Sequence, residues 1–323
     1  MLIEDQHPAN KILTVAVLGE PNAGKSTLIN RLLGMDLAVV TNRPQTTRNH
    51  YQCVLHQGHT EIILIDTPGM HRSNQEINKR MNEEAREGTQ DTQVQLLLID
   101  AQAPIQEQVE MFKTTVERDL PNVWLVFTKA DLLANPAGVP WEEFLQQAQK
   151  LLPGVQRYFV LSAKSGYQID QLLDALMEAA QPGRHRFKEG EVSNKNLRFF
   201  VCEYIREQAF YFLQEELPYE LAVVIDEYHD YAEHQEKSKL AAHISATIIV
   251  NRPSQRGIVV GRGGAMIKKI GTHAREKIEA LVGGQVHLNL HVKVIPRWFK
   301  NNHVLEEIGL FRAPDSNRVW RKS

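Results

Sequence analysis

The sequence predicts an α/β domain with a mostly parallel sheet, followed by a smaller α+β domain. Between residues 11 and 180, short apolar runs each lead into a polar loop and then into a helical pattern, which is typical of βαβ units. A chain of 323 residues also exceeds what one hydrophobic core usually holds. The polar segment 182–196 contains a Pro and two Gly without any apolar period, so we predict a linker there.

The first apolar run, Ile12–Leu18, enters a phosphate-binding loop with the pattern GxxxxGKS. In such a loop the backbone N–H groups surround nucleotide phosphates, Lys25 reaches the β- and γ-phosphates, and the Ser26 hydroxyl binds Mg²⁺. The run after the loop, Thr27–Leu33, predicts a helix whose N-terminus favours phosphate. A chance glycine-rich turn is the alternative. The predicted nucleotide-binding residues here are Gly19, Glu20, Pro21, Asn22, Ala23, Gly24, Lys25, Ser26 and Thr27.

A second strand, Glu61–Asp66, ends in the sequence Thr67-Pro68-Gly69. The Asp66 carboxylate can hold Mg²⁺ through a water molecule, and the Gly69 N–H can face a γ-phosphate. Such a tetrapeptide alone is usually only a turn. This one, however, lies at the carboxyl end of a strand, which is where ligands bind in doubly wound sheets.

Two further strands lead into segments that can recognise guanine. The strand 122–128 ends in Thr128 and is followed by Lys129, Ala130 and Asp131. The Asp131 carboxylate can accept both N1–H and N2–H₂ of guanine, a pair of donors that adenine lacks, and the stem of Lys129 can lie over the base. The strand 156–161 leads to Ser162, Ala163 and Lys164, whose backbone N–H groups can donate to guanine O6.

Together these motifs resemble a Ras-like P-loop GTPase domain, and the resemblance implies an α/β fold with a mixed six-stranded sheet over residues 1–181. The segment Gln45–Arg48 is similar to switch I of the Era, MnmE and Der group of GTPases. By that resemblance Thr47, in preference to Thr46, binds Mg²⁺ when GTP is present. The alternative is that these threonines are ordinary loop residues. The catalytic residues implied are Lys25, Thr47, Asp66 and Gly69.

Three residues depart from, or qualify, the Ras-like pattern. Met70 stands where Ras-like enzymes carry a glutamine that orients water, and a thioether is only a weak acceptor. Without that glutamine, either GTP hydrolysis is slow until a partner binds, or a further cation supplies the missing positive charge. Asn22 resembles an asparagine that binds K⁺ in potassium-dependent relatives. An equally weighted alternative is that Asn22 only shapes the turn of the loop. Thr128 replaces a usual Asn, so we expect weaker nucleotide affinity with unchanged base preference.

The second half of the chain separates its charges sharply. Residues 203–236 carry ten acidic side chains and one basic, whereas residues 237–300 carry twelve Lys or Arg and two Glu. The net charge of −2 for the whole chain hides this division. A basic stretch is usually a solvated face, but this one surrounds a GxxG loop formed by Gly261, Arg262, Gly263 and Gly264.

The surroundings of this loop resemble a type II KH domain over residues 197–300. We predict strands at 241–250 and 257–260, then the GxxG loop, basic helices and a final strand at 286–294. In KH domains the GxxG loop clamps the backbone of about four single-stranded nucleotides. A plain α+β domain with a glycine turn is the alternative. The predicted RNA-binding residues are Gly261, Arg262, Gly263, Gly264, Lys268, Lys269 and Arg275.

A GTPase domain followed by a type II KH domain resembles the Era family, over about residues 11–311. The resemblance implies GTP or GDP and Mg²⁺ as ligands, with K⁺ an open candidate and no small-molecule substrate other than GTP. It also implies binding to 16S rRNA near its 3′ end, a role in maturation of the 30S subunit, and peripheral contact with the inner membrane. Two alternatives stay open: a Der- or MnmE-like GTPase acting on other RNA, and an RNA-binding scaffold with a vestigial nucleotide site.

The remaining features indicate a monomeric cytoplasmic protein. Cys53 and Cys202 fall in separate predicted domains, which argues against a disulfide. No pair of Cys or His has the spacing of zinc ligands, so we expect no metal beyond Mg²⁺ and K⁺. No apolar run has the length of a membrane span, and no signal peptide is evident. The C-terminal tail is assigned to residues 301–323. Its last part, 312–323, is basic and contains Trp320; we expect a disordered end there, with added RNA contact as the alternative.

Overall fold

The computed structural model describes residues 6–41, 49–70, 76–116, 120–231 and 238–308. The chain divides into two compact units, Met1–Asn196 and Leu197–Ser323. The division falls at the carboxyl end of the segment 182–196 that was predicted as a linker.

The first unit is built on a mixed sheet. Among the described residues its main strands lie in the order β2-β3-β1-β4-β5-β6, with β2 antiparallel to β3 and every other neighbouring pair parallel. This confirms the predicted mixed six-stranded sheet. The strands are β1 (Lys11–Gly19), β2 (Tyr51–Gln57), β3 (Thr60–Asp66), β4 (Val94–Asp100), β5 (Val123–Thr128) and β6 (Val155–Val160). A two-residue strand, β7 (Gln181–Pro182), pairs antiparallel with the start of β1.

The central strands are apolar because helices cover both faces of the sheet. Every residue of β3 and β5 is buried, and so is every residue of β1 except its first. Continuous apolar runs of this kind are expected of parallel strands without a solvated face. The covering helices are α1 (Lys25–Leu33), α2 (Glu76–Glu87), α3 (Ile105–Val116), α4 (Trp141–Leu151) and α5 (Ile169–Ala179).

The segment 182–196 requires a correction, because it is not a free linker. The Val54 N–H of β2 donates to the Val192 carbonyl at 2.9 Å, and the Ser193 hydroxyl donates to the Gln52 carbonyl at 2.6 Å. Since β2 is the edge strand, these bonds cover backbone groups that would otherwise face solvent. Composition alone did not reveal this pairing, because backbone hydrogen bonds require no apolar side chains.

The second unit has the element order of a type II KH domain: helix, two strands, two helices, strand. Its described strands form a sheet in the order β10-β9-β8, with β8 and β9 antiparallel and β9 and β10 parallel. A short helix follows the sheet. The elements are α6 (Leu197–Phe212), β8 (Ala222–Asp230), β9 (Ala242–Val250), α7 (Pro253–Val260), α8 (Ala265–Val282), β10 (Val286–Val294) and α9 (Asn302–Glu307).

One predicted strand of this unit was wrong. Residues 257–260 form the last turn of α7, and the partner of β9 is β8, which lies earlier in the chain. Pro253 occupies the first turn of α7, and the Gln255 side chain accepts from the N–H groups of Asn251 and Arg252 at 2.8 and 3.0 Å. These helix-starting features outweigh the β-propensity of Ile258, Val259 and Val260.

Both cysteines are free, as the sequence analysis expected. Cys53 in β2 is buried and Cys202 in α6 is half-buried. Burial raises the pKa of the Cys202 thiol to about 12, with Glu203 adding to the effect, and burial also raises the pKa of Cys53 well above its usual value. Within the described residues, no helix is both long and apolar enough to span a bilayer.

We therefore predict that neither thiol reacts readily at pH 8. With a pKa of about 12, only about one Cys202 in 10⁴ is the reactive thiolate at that pH. Incubation with an aromatic disulfide reagent should give negligible fast release of chromophore from the native protein and two thiols per chain after unfolding in denaturant. Rapid stoichiometric reaction of the native chain would contradict this expectation.

Candidate functional site

The predicted nucleotide motifs meet in one cavity at the carboxyl edge of the first unit's sheet. The cavity has a volume of about 630 Å³. It is lined by thirteen of the predicted residues, which come from every described nucleotide motif: Pro21, Asn22, Gly24, Lys25, Ser26, Thr27, Gly69, Thr128, Lys129, Asp131, Ser162, Ala163 and Lys164. The other predicted residues of these motifs, Gly19, Glu20, Ala23, Asp66, Thr67, Pro68 and Ala130, are not among its lining residues.

Four lining residues were missed by the sequence analysis. Val39, Val40 and Thr41 follow α1, and Leu132 follows Asp131. Val40 and Leu132 expose 41% and 52% of their surface. Neither belongs to a recognisable motif. Exposed apolar side chains at this edge can lie against the faces of a bound base or ribose.

The phosphate loop reverses direction through left-handed backbone conformations. Asn22 has φ 63° and Gly24 has φ 92°, directly before α1 begins at Lys25. A Cβ atom on Gly19 would lie 2.6 Å from the Leu98 carbonyl oxygen, so only glycine fits there. The conformation of Asn22 agrees with a loop-shaping role, since Asn tolerates this region well.

Lys25 is held ready for a phosphate by backbone carbonyls. Its Nζ donates to the carbonyls of Gly19 at 3.1 Å and Glu20 at 2.9 Å, and the residue is only 7% exposed. Burial lowers the pKa of Lys25 to about 8, partly opposed by the charges of Asp66 and Glu20. An anionic phosphate at this position favours the ammonium form, because it replaces lost solvation with an opposite charge.

The end of β3 packs directly against the phosphate loop. The Ser26 hydroxyl donates to Asp66 Oδ2 at 3.3 Å, and the Thr67 hydroxyl donates to the Val17 carbonyl at 2.6 Å. A Cβ atom on Gly69 would lie 2.8 Å from the Pro21 ring. Glycine therefore allows the backbone after β3 to approach the loop closely, as a γ-phosphate contact from its N–H requires.

Met70 belongs to the hydrophobic core and not to the cavity. The residue is 1% exposed, and its N–H donates to the Gly19 carbonyl at 3.3 Å. Its side chain therefore cannot orient a water molecule for attack.

Thr128 connects the base-recognition loop to the phosphate loop. Its hydroxyl lies 2.8 Å from the Ala23 carbonyl and 3.2 Å from the Ile99 carbonyl, and the residue is buried. The next residue, Lys129, has φ 60° and forms a 2.6 Å ion pair with Asp100. A threonine hydroxyl thus supplies one of the contacts that an asparagine amide could make.

We predict that Thr128→Val lowers GDP affinity by about 3- to 10-fold, because a hydrogen bond of this kind contributes about 1 kcal/mol. Valine has nearly the same shape as threonine, so the cavity keeps its form. Titration of a fluorescent GDP analogue measures the effect. Thr128→Ser keeps the hydroxyl and should stay within twofold of the wild type; an equal loss in both variants would mean that packing, and not the hydrogen bond, matters.

The GxxG loop of the second unit has the geometry of a backbone clamp. It joins α7 to α8 with Gly261, Gly263 and Gly264 at φ 73°, 59° and 80°. A Cβ atom on Gly261 would lie 2.7 Å from the Cβ of Met266, whereas one on Gly264 would meet no atom within 4 Å. Arg262 and Gly263 are exposed, so the loop presents its backbone to solvent next to the N-terminus of α8.

A groove of about 290 Å³ lies between α8, the helix that follows this loop, and β10. It contains two of the predicted cations, Lys268 and Arg275. A third predicted cation, Lys269, points elsewhere, with its Nζ 4.4 Å from the ring centre of Phe212. The fourth, Arg262, lies on the GxxG loop and is not among the residues that line the groove. The sequence analysis missed five lining residues, Ile267, Gly271, Thr272, Leu288 and Leu290. The alternating pattern of β10 was the available signal, since it places Leu288 and Leu290 on one face.

Comparison with known proteins identifies the family of each unit. The sequence profile of 50S ribosome-binding GTPases matches residues 14–129, and that of the KH domain matches residues 216–299. GTPase Era of Carboxydothermus hydrogenoformans is 35% identical over 285 residues, which cover 88% of this chain and 92% of that protein. The chain belongs to the Era family of GTPases. GTPase Era of Thermotoga maritima is likewise 35% identical, over 92% of this chain and 96% of its own length.

Two solved Era structures match the chain over nearly its whole length. Era in complex with MgGDPNP and nucleotides 1506–1542 of 16S ribosomal RNA matches with a TM-score of 0.84 at 28% identity, covering 94% of this chain and 100% of that chain. An Aquifex aeolicus Era variant bound to GDP·AlF₄⁻ matches with a TM-score of 0.82 and the same coverage. The predicted family and fold class are thereby confirmed.

Two predicted features of this Era-family chain fall outside the described residues. The switch I segment with Thr46 and Thr47 lies within 42–48, and most of the tail lies within 309–323. The role of Thr47 in Mg²⁺ binding therefore stays a prediction.

Proposed function

We propose that this chain is a GTP-hydrolysing switch that binds 16S rRNA near its 3′ end and assists maturation of the 30S subunit. The proposal rests on one observation. Residues of the GKS, DTPG, KxD and SAK motifs line one cavity, in a chain that also has an exposed GxxG loop. The Era structure bound to MgGDPNP and a 16S rRNA segment shows that relatives with this architecture hold both ligands at once.

In the proposed nucleotide site, Lys25 and the loop N–H groups hold the β- and γ-phosphates. Ser26 Oγ and Asp66 Oδ2 lie 3.3 Å apart, and such oxygen donors suit Mg²⁺. Thr47 is the proposed second protein ligand. Bound Mg²⁺ neutralises charge on the phosphates during phosphoryl transfer. Because Met70 is buried, the Gly69 N–H is the group after β3 that positions the γ-phosphate.

Base recognition is proposed for the opposite end of the cavity. The Asp131 carboxylate accepts from guanine N1–H and N2–H₂, while Ser162, Ala163 and Lys164 surround O6. Asn22 stays a candidate K⁺ ligand. Exchange of KCl for NaCl tests that role, since equal hydrolysis rates in the two salts would remove it.

For RNA, we propose that the GxxG backbone and Arg262 clamp the phosphates of a single strand while its bases enter the groove beside α8. Leu288 and Leu290 offer apolar surface for base faces, and Lys268 and Arg275 offer charge to the backbone. Association with the 30S subunit and peripheral contact with a membrane are further proposals taken from the family.

The decisive experiment is single-turnover GTP hydrolysis with and without an RNA oligonucleotide of the sequence 1506–1542. We expect several-fold stimulation by this RNA and none by a scrambled oligonucleotide of equal length. Hydrolysis without stimulation would contradict the proposed RNA target or its coupling to GTP. RNA binding without any hydrolysis would instead support a scaffold with a vestigial nucleotide site.

A further inference from the structure

Three side chains that carry metal-ligating atoms lie close together in the first unit, near the turn between β2 and β3. His56 near the end of β2, Glu61 near the start of β3 and His185 each offer one ligand atom, and the three atoms lie within 4.8 Å of one another. His185 follows β7 and is far from the other two in sequence. For that reason the spacing of histidines along the chain gave no indication of this cluster.

Glu61 is the fixed centre of the cluster. It is completely buried, and its Oε1 accepts from the Arg186 N–H at 2.8 Å while its Oε2 accepts from the Phe187 N–H at 3.0 Å. His56 Nε2 lies 3.2 Å from Oε2. Backbone donors thus hold the carboxyl group in one orientation, and each oxygen keeps a further lone pair for a cation.

His185 is oriented in the way that metal-binding histidines usually are. Its Nε2 lies 3.1 Å from the His59 carbonyl oxygen. A ring that donates its Nε2–H to a carbonyl carries its lone pair on Nδ1, where it can bind a metal. The His185 backbone is also held, because its N–H donates to Gln6 Oε1 at 2.8 Å.

We infer that His56, Glu61 and His185 form a binding site for a divalent transition metal ion, with zinc the best fit. Two imidazoles and one carboxylate are a common zinc ligand set, with the fourth position left to water. The site lies at the opposite end of β3 from Asp66, roughly 17 Å away for five residues of strand. It is therefore separate from the proposed Mg²⁺ site. The sequence analysis expected no metal beyond Mg²⁺ and K⁺, and this site adds a further ion.

The ion has a structural consequence. It joins the segment after β7 to the β2–β3 turn, and it binds only when all three ligands are assembled in the folded unit. Binding therefore raises the stability of the first unit in proportion to the logarithm of the metal concentration.

The test uses the full-length protein saturated with GDP in excess Mg²⁺, so that Mg²⁺ competes with added metal at the nucleotide site. Titration with Co²⁺ should give the visible absorption of a four- or five-coordinate ion at one equivalent, and Zn²⁺ should displace it. In the His56→Ala/His185→Ala double variant we expect the affinity for Co²⁺ to fall at least about 100-fold, since even loss of an outer-shell partner costs up to that factor.

Two control variants address competing histidines. His287, whose ring stacks on His243 at 4.9 Å, and His50, which neighbours Glu84 and Glu87, could each bind metal weakly. His287→Ala and His50→Ala should both keep wild-type Co²⁺ affinity. Loss of the absorption in either control, or its retention in the double variant, would overturn the assignment, as would absence of binding by the wild type.

A conservative variant separates metal binding from packing. His185→Gln keeps an N–H donor for the His59 carbonyl but lacks an imidazole ligand. Without metal, its Tm and GDP affinity should match those of the wild type, and the rise in Tm caused by Zn²⁺ should disappear. An equal rise in Tm for the wild type and His185→Gln would contradict the proposal.

Discussion

Replacing Asp131 with Asn should change the nucleotide preference from guanine to xanthine. In the proposed site this carboxylate accepts two hydrogen bonds from guanine, and hydrogen bonds to charged groups contribute about 1.5–3 kcal/mol each. An asparagine amide donates where the carboxylate accepted, so it opposes guanine N2–H₂ and favours the carbonyl that xanthine has there. Titration with GDP and XDP should show at least about a 100-fold loss of GDP affinity and a gain for XDP.

A matched control for this change is Asp170→Asn. Asp170 lies in the first turn of α5 and is not among the residues that line the cavity, so the variant loses the same charge without touching the base. It should bind GDP as the wild type does. Guanine selectivity that survives Asp131→Asn would exclude Asp131 as the residue that recognises the base.

Gly264→Asp should abolish RNA binding while basal GTP hydrolysis continues. A side chain at Gly264 enters open space, although its φ of 80° makes any other residue strained by roughly 1–2 kcal/mol. The new carboxylate lies on the GxxG loop, where it repels the RNA phosphates. We expect at least about a 100-fold loss of affinity for the 1506–1542 oligonucleotide, measured by fluorescence anisotropy.

Gly283→Asp is a closely matched control, because Gly283 ends the same helix that follows Gly264. Its φ is 71° and its Cβ would also meet no atom within 4 Å. The two variants therefore carry the same charge and a similar backbone strain at opposite ends of α8. RNA affinity should fall only for Gly264→Asp. If that variant binds RNA like the wild type, or if both variants lose affinity equally, the GxxG loop does not bind RNA.

The nucleotide motifs were predictable because each depends on a short stretch of backbone. The loop from Gly19 to Ser26 needs glycine and lysine at set positions, and Asp131 needs only to follow a strand. Parallel strands bring their carboxyl ends to one edge, so the meeting of these motifs followed from strand order. Val40 and Leu132 were not predictable, because any exposed apolar residue on a neighbouring loop could have lined the cavity.

The KH-type unit shows where local patterns conflict. The run after Gly257 has strong β-propensity, yet Pro253 and Gln255 begin a helix that includes it. The sequence analysis missed strand β8, because Asp226, Glu227 and Asp230 make its second half polar. Propensity is a weak prior in both cases, and pairing with β9 decided the outcome.

The sequence by itself determined the phosphate loop, the loops after β5 and β6 that line the same cavity, and the GxxG loop, since neighbouring residues create each of them. Only the tertiary structure decided that residues 182–196 cover the edge of β2, and that Leu288 and Leu290 share a groove with Lys268 and Arg275. It alone brought His185 to His56 and Glu61. The physical reason is that contacts between distant residues depend on strand register and packing, and no local spacing encodes these.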